Sequence, residues 1–163
     1  MRWLVPLLLA AAAVGVARLV VRWVPEASGS GVQRVEASIR DEVPLLARLR
    51  IIPVKFVGGV LAIGAGLALG REGPTVQMGA VVGDRVARAA GLSAHDTRTL
   101  SVSLAGAGLG VAFSAPLGGA LFVFEEVARA FRTRLVLATF AGTAAAVAVS
   151  VLIVGTQPVF PIG

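Results

Sequence analysis

The apolar runs of this chain stop short of a membrane span again and again. A helix crossing lipid needs about 20 consecutive apolar residues. Phe56 to Gly70 is uncharged but only 15 residues long. Gly73 to Gly83 is shorter still, and the 26 uncharged residues from Thr99 to Phe124 are broken inside by Pro116. Lipid cannot hydrogen-bond a loose helix end, so such ends survive only where they line a cavity or bury in protein, and there they mark ion or substrate sites. The pattern therefore predicts an all-α integral membrane fold of discontinuous, re-entrant helices. Seven segments are expected, at 3–24, 32–40, 52–70, 74–90, 94–114, 116–127 and 133–155. Asp41 to Arg50, with Pro44, reads as a polar linker. The last run, Leu135 to Gly163, is uncharged throughout.

Composition supports the bilayer reading. Hydrophobic residues make up 56% of the chain and charged residues 15%, against about a quarter charged in soluble domains. There is no cysteine and one histidine, His95, which leaves no thiolate or histidine cluster for a metal. The net charge is +6, but the arginines are scattered and aromatic residues are scarce, so a nucleic-acid partner is excluded. Arginines at the ends of apolar runs anchor to headgroups, and their potential favours an anionic solute. The start, Met1-Arg2 followed by Trp3–Val14, resembles a signal peptide. The apolar pattern runs on to Val24, however, so a first spanning helix fits better.

Several motifs read as packing or punctuation. Gly58, Ala62, Gly66 and Gly70 recur every four residues and would form one smooth helical stripe. Ser93-Ala94-His95-Asp96 after Gly91 is a capping-box pattern, with Asp96 at the positive end of the helix dipole and His95 exposed. Gly64–Gly70 is one residue too long for a dinucleotide fingerprint. Gly70–Thr75 lacks the Lys-Ser/Thr of a phosphate loop.

Three segments carry chemistry. In Gly70-Arg71-Glu72-Gly73-Pro74-Thr75-Val76-Gln77, Pro74 suits the first helical position. The first-turn amides then face whatever precedes the helix, which is a ready anion site. Glu72 either caps its own helix dipole or, between two apolar runs, acts as a functional intramembrane acid. In Gly29-Ser30-Gly31-Val32-Gln33, Ser30 offers a hydroxyl and the glycines expose amides. Alone this stretch reads as a linker. Beside the Glu72 motif it is a second donor set. In Phe113-Ser114-Ala115-Pro116…Phe124-Glu125-Glu126, a short helix restarts at Pro116 and ends in two acids. Either both reach an aqueous boundary or one is a buried proton acceptor, since a desolvated carboxyl is easier to protonate.

Together these segments resemble the ClC family of chloride channels and proton–chloride exchangers. Gly70–Gln77 is similar to its Gly-Arg-Glu-Gly-Pro signature. Ala112–Glu126 is similar to its Phe-x-Ala-Pro-Leu-x-Gly…Glu-Glu stretch, and Gly29–Gln33 to its Gly-Ser-Gly-Ile-Pro motif. The resemblance implies that Ser30 coordinates a central anion, with Gly29, Gly31, Arg71 and Gly73 completing the anion-binding set. It implies that Glu72 is the gating glutamate, competing with chloride and carrying a proton. Glu126 would be the inner proton-transfer glutamate, typical of exchangers. Ser30, where a nitrate-type variant has Pro, resembles the chloride type. Gln33 and Arg34 stand where the family usually has Pro and Glu, and Gln33 restores a backbone donor there.

The expected activity is proton-coupled chloride exchange, without enzyme chemistry or cofactor, by a homodimer in the plasma membrane of a prokaryote. A passive voltage-gated chloride channel is the alternative. Family members build their pathway from two halves of opposite topology, more than twice this length in all. Residues 1–163 therefore read as a partial transport domain, approximately the first half of the inverted repeat, and the second half, with the family's anion-coordinating tyrosine, is absent from it. A non-transporting fragment is the remaining alternative.

Overall fold

The computed structural model describes residues 3–40, 42–43 and 49–155. Met1-Arg2, the linker positions 41 and 44–48, and the end of the last apolar run at 156–163 lie outside the described residues. The described chain is helical, with no strand among the described residues. Helix α1 spans Leu4–Trp23 and is followed by a 3₁₀ turn, Pro25–Ala27. Then come α2 (Val32–Ile39), α3 (Ile51–Gly64), α4 (Glu72–Ala89), α5 (Ala94–Phe113), α6 (Pro116–Phe122) and α7 (Thr133–Val154).

All seven predicted segments are present, and three of their boundaries need correction. Helix α3 ends at Gly64 rather than at 70, and Gly66 takes a left-handed φ of 87°. The small-residue stripe is therefore real only at Gly58 and Ala62, which are buried. A methyl on Gly58 would lie 3.6 Å from Val21 of α1. Gly66 and Gly70 belong to the non-helical approach to α4. Helix α4 begins at Glu72, so Pro74 occupies the third helical position rather than the first. Its missing N–H is still one that no helix of this sense would use. Finally, α6 stops at Phe122 and widens into a π turn, Val123–Val127. There the Ala128 N–H reaches back to the Val123 carbonyl at 2.8 Å.

Helix α5 is the hub, packed against α4, α6 and α7, while α1 and α3 pair with each other and α3 reaches α4. Glycines set these distances. A Cβ on Gly79 or Gly83 of α4 would strike the Leu104 or Leu100 carbonyl of α5, and one on Gly108 would strike the Thr75 carbonyl of α4. Gly106 of α5 and Gly119 of α6 meet each other's backbone in the same way. Where lipid removes the hydrophobic drive between helices, close backbone approach and interhelical hydrogen bonds hold the bundle. Two such bonds are buried here. Ser101 Oγ donates to the Ala80 carbonyl at 2.8 Å, and Thr139 Oγ1 of α7 donates to Ser103 Oγ at 3.1 Å.

The predicted capping box is in place. Ser93 Oγ accepts the Asp96 N–H at 3.1 Å and donates to the Asp96 carboxylate at 2.8 Å, with His95 exposed. The α5–α6 break combines Pro116 at the start of α6 with Ser114 in a left-handed conformation (φ 53°). Phe124 anchors the π turn, with ring centroids 5.1 Å from Phe131 and 5.7 Å from Phe140. Helices α1 and α7 are long and apolar enough to cross a membrane, and α1 buries only Ala17.

Candidate functional site

The three chemistry-bearing segments line one open cavity of about 820 Å³. Gly29 and Ser30 come from the loop before α2, with Gln33 from its first turn. Gly70, Glu72, Gly73 and Pro74 come from the start of α4. Phe122, Glu125 and Glu126 come from the end of α6 and the π turn. The start of α4 and the Ser30 loop touch directly. A Cβ on Gly73 would lie 2.9 Å from Ser30 Cβ and closer still to the Ser30 carbonyl. Only glycine permits that approach.

Glu72 lies at the positive end of the α4 dipole. Its carboxylate folds back over Gly70, where a side chain would collide with it. Thr75 Oγ1 has the carbonyls of Glu72 (2.9 Å) and Arg71 (3.1 Å) as alternative acceptors for its one proton, which ties this turn together. With proline third, the Glu72 and Gly73 amides are the ones left facing the helix start. That arrangement favours either a carboxylate or an anion from solution.

Ser30 Oγ accepts the Val32 N–H at 3.3 Å and donates to Gln33 Oε1 at 2.7 Å. Gly29 (φ 69°) and Gly31 (φ 92°) give the loop its left-handed turns. Gly31 sits outside the cavity lining, pressed against the side chain of Gln77.

Arg71 is also outside the lining. Its guanidinium lies 5.1 Å above the Phe113 ring, a cation–π contact that ties the start of α4 to the end of α5. Glu125 and Glu126 both face the cavity and both are exposed; the Glu126 side chain is 56% accessible and 3.9 Å from Arg129. Of the two readings of the pair, this exposure fits the one in which both acids reach an aqueous boundary. The π turn leaves the pair on the cavity's open wall.

Two residues that hold the site went unnoticed in the sequence. Lys55 of α3 is 5% exposed, and its Nζ donates to the carbonyls of Ala27 (2.9 Å) and Gly29 (2.6 Å). Gln77 is fully buried and donates from Nε2 to the Glu26 carbonyl at 2.8 Å. The two clamp the Ser30 loop from α3 and α4. Lys55 also adds a buried positive charge beside it. The signal was visible, since Lys55 is the sole lysine among 15 basic residues and interrupts an apolar run. Lys55→Met removes the donor from two inward carbonyls. It should cost about 2–3 kcal/mol, read as a lowered unfolding midpoint in detergent.

Known proteins resemble this chain closely. The model of the voltage gated chloride channel family matches residues 7–163. The H(+)/Cl(-) exchange transporter ClcA of Vibrio vulnificus (strain YJ016) is 46% identical over 136 residues, covering 82% of this chain and 29% of that protein. The protein of the same name from Citrobacter koseri is 40% identical over 148 residues, covering 89% of this chain and 31% of that protein. The crystal structure of a slow cyanobacterial Cl−/H+ antiporter superposes with a TM-score of 0.88 at 32% identity, over 99% of this chain and 39% of that one. The chain thus spans about three tenths of the length of the curated relatives it matches.

Proposed function

Because this integral membrane chain belongs to the voltage gated chloride channel family, we propose that it supplies the anion site and the proton-carrying acids of a proton-coupled chloride exchanger. The observation that carries the reading is the convergence of Ser30, Glu72 and Glu126 on one cavity. Relatives named as H(+)/Cl(-) exchange transporters support it. Glu72 is the gate and Glu126 the inner proton acceptor. Ser30 with the Gly29 and Gly73 backbone receives the anion, and Gly31, packed on Gln77 outside the lining, shapes the loop that presents them. Arg71 contributes positive potential from its perch on Phe113.

The mechanism is competition for one position. An ionised Glu72 carboxylate occupies the amide-lined helix start and excludes chloride by charge and by volume. A proton on that carboxylate removes the charge, so the side chain leaves and the anion enters. Partial charges from amides and a hydroxyl hold chloride firmly enough to bind without trapping it, as a full cationic partner would. Glu126, at the open wall, exchanges protons with water. No bond is made or broken beyond proton transfer, so the protein is not an enzyme and needs no cofactor. The native unit is a homodimer in the lipid bilayer of a prokaryotic plasma membrane.

The test is flux from liposomes holding the full-length protein with this sequence. An imposed chloride gradient should drive proton movement in the opposite sense, and Glu126→Gln should stop the protons while chloride still moves. Chloride movement that never drives protons would replace exchange with passive conduction. No chloride movement at all would leave the chain a structural module.

A further inference from the structure

Ser30 spends its only proton on a neighbour. Its hydroxyl donates to Gln33 Oε1 at 2.7 Å, and its lone pair accepts the Val32 N–H at 3.3 Å. A hydroxyl has one hydrogen to give, so it cannot donate to Gln33 and to an anion at once. Gln33 is exposed and lines the same cavity as Ser30, Glu72 and Gly73. It stands at the first turn of α2, three residues after Ser30, as in a capping box. Here, however, the bond joins the two side chains instead of reaching the backbone.

We propose that Gln33 is a positioning residue that sets anion affinity, holding the Ser30 hydroxyl turned away from the anion position until an anion displaces it. The inference rests on Ser30 being an anion donor, as proposed above. An entering anion must break the Ser30–Gln33 bond, and the freed amide turns to water in the open cavity. Part of the anion's binding energy is used in that exchange. The anion is thereby held less tightly than a free hydroxyl would hold it. Amide-bearing Gln33 therefore tunes affinity without touching the Glu72 gate.

The experiment is chloride titration of the purified full-length protein by calorimetry, with bromide as a second anion, on five forms: wild type, Gln33→Leu, Gln33→Glu, Ser30→Ala and Ser30→Ala with Gln33→Leu. Gln33→Leu frees the hydroxyl and should tighten chloride binding about fivefold, as expected for release of one competing neutral hydrogen bond. Gln33→Glu keeps an acceptor, strengthens its hold on the proton and adds negative charge, so it should weaken binding. That opposition of sign separates tuning from simple damage, which would weaken both. In a Ser30→Ala background, Gln33→Leu should change nothing, because the hydroxyl it would free is gone. Unchanged or weaker chloride binding in Gln33→Leu, with a wild-type unfolding midpoint, overturns the inference while leaving the anion site standing. Equal tightening with and without Ser30 overturns it too. If the wild-type protein binds neither halide, the anion-site reading itself fails, and the inference with it.

Discussion

Glu72→Gln in the full-length protein should abolish chloride-driven proton movement and make chloride flux indifferent to pH. The carboxylate folds over Gly70 at the amide-rich start of α4, where only a negative group gains from the dipole. Glutamine has nearly the same shape but cannot carry a charge or a transferable proton. A positioned proton carrier contributes on the order of 100-fold or more to such transfers, so coupled proton flux should fall by at least that factor. Chloride should still pass, because the amide no longer competes as an anion. Parallel recordings of chloride efflux and proton uptake between acid and neutral pH would check this. A variant that kept its pH response would move the gate elsewhere.

The second large effect is structural. Gly108→Leu should cost about 3 kcal/mol or more and, in so tightly crossed a pair of helices, sharply reduce the yield of folded protein. A Cβ at Gly108 meets the Thr75 carbonyl and lies 3.6 Å from the Gly79 Cα. Those are backbone atoms that no rotamer change can clear. Gly59→Ala is the matching control. Nothing lies within 4 Å of the Cβ it would add, and alanine favours a helix interior by about 0.5–1 kcal/mol. Thermal unfolding in detergent should therefore move down steeply for the first and hold or rise slightly for the second. Equal midpoints would mean that α4 and α5 can separate at no cost.

These two sites also mark how far the residues could be read without coordinates. The glycine, proline and serine motifs were legible because their chemistry is local. A Pro116 restart, a Ser93 cap and a Gly29-Ser30-Gly31 turn each state their backbone conformation within a few residues. The end of α3 was not, because Ala65 to Gly70 stays as apolar as the helix before it and hydropathy carries no stop signal there. The π turn was equally silent, since Val123–Val127 would suit an ordinary α-helix.

The close contacts of Gly79, Gly83 and Gly108 join segments distant in sequence, and no local pattern separates them from the stripe at Gly58 and Ala62. The clamps from Lys55 and Gln77 are distant too: Lys55 acts on Ala27 and Gly29, and Gln77 on Glu26. Pro74 was assigned one half-turn too early, because Glu72 and Gly73 extend the helix ahead of it.

The contact between Gly73 and Ser30 sets a dimension that the α4 side cannot adjust. Gly73 meets the carbonyl and Cβ of Ser30 there, so no side chain can be added on the α4 side. Substitution can then act on residue 30 and on neighbours such as Gln33 across the cavity, while the α4 side stays fixed by a hydrogen atom where a methyl would be.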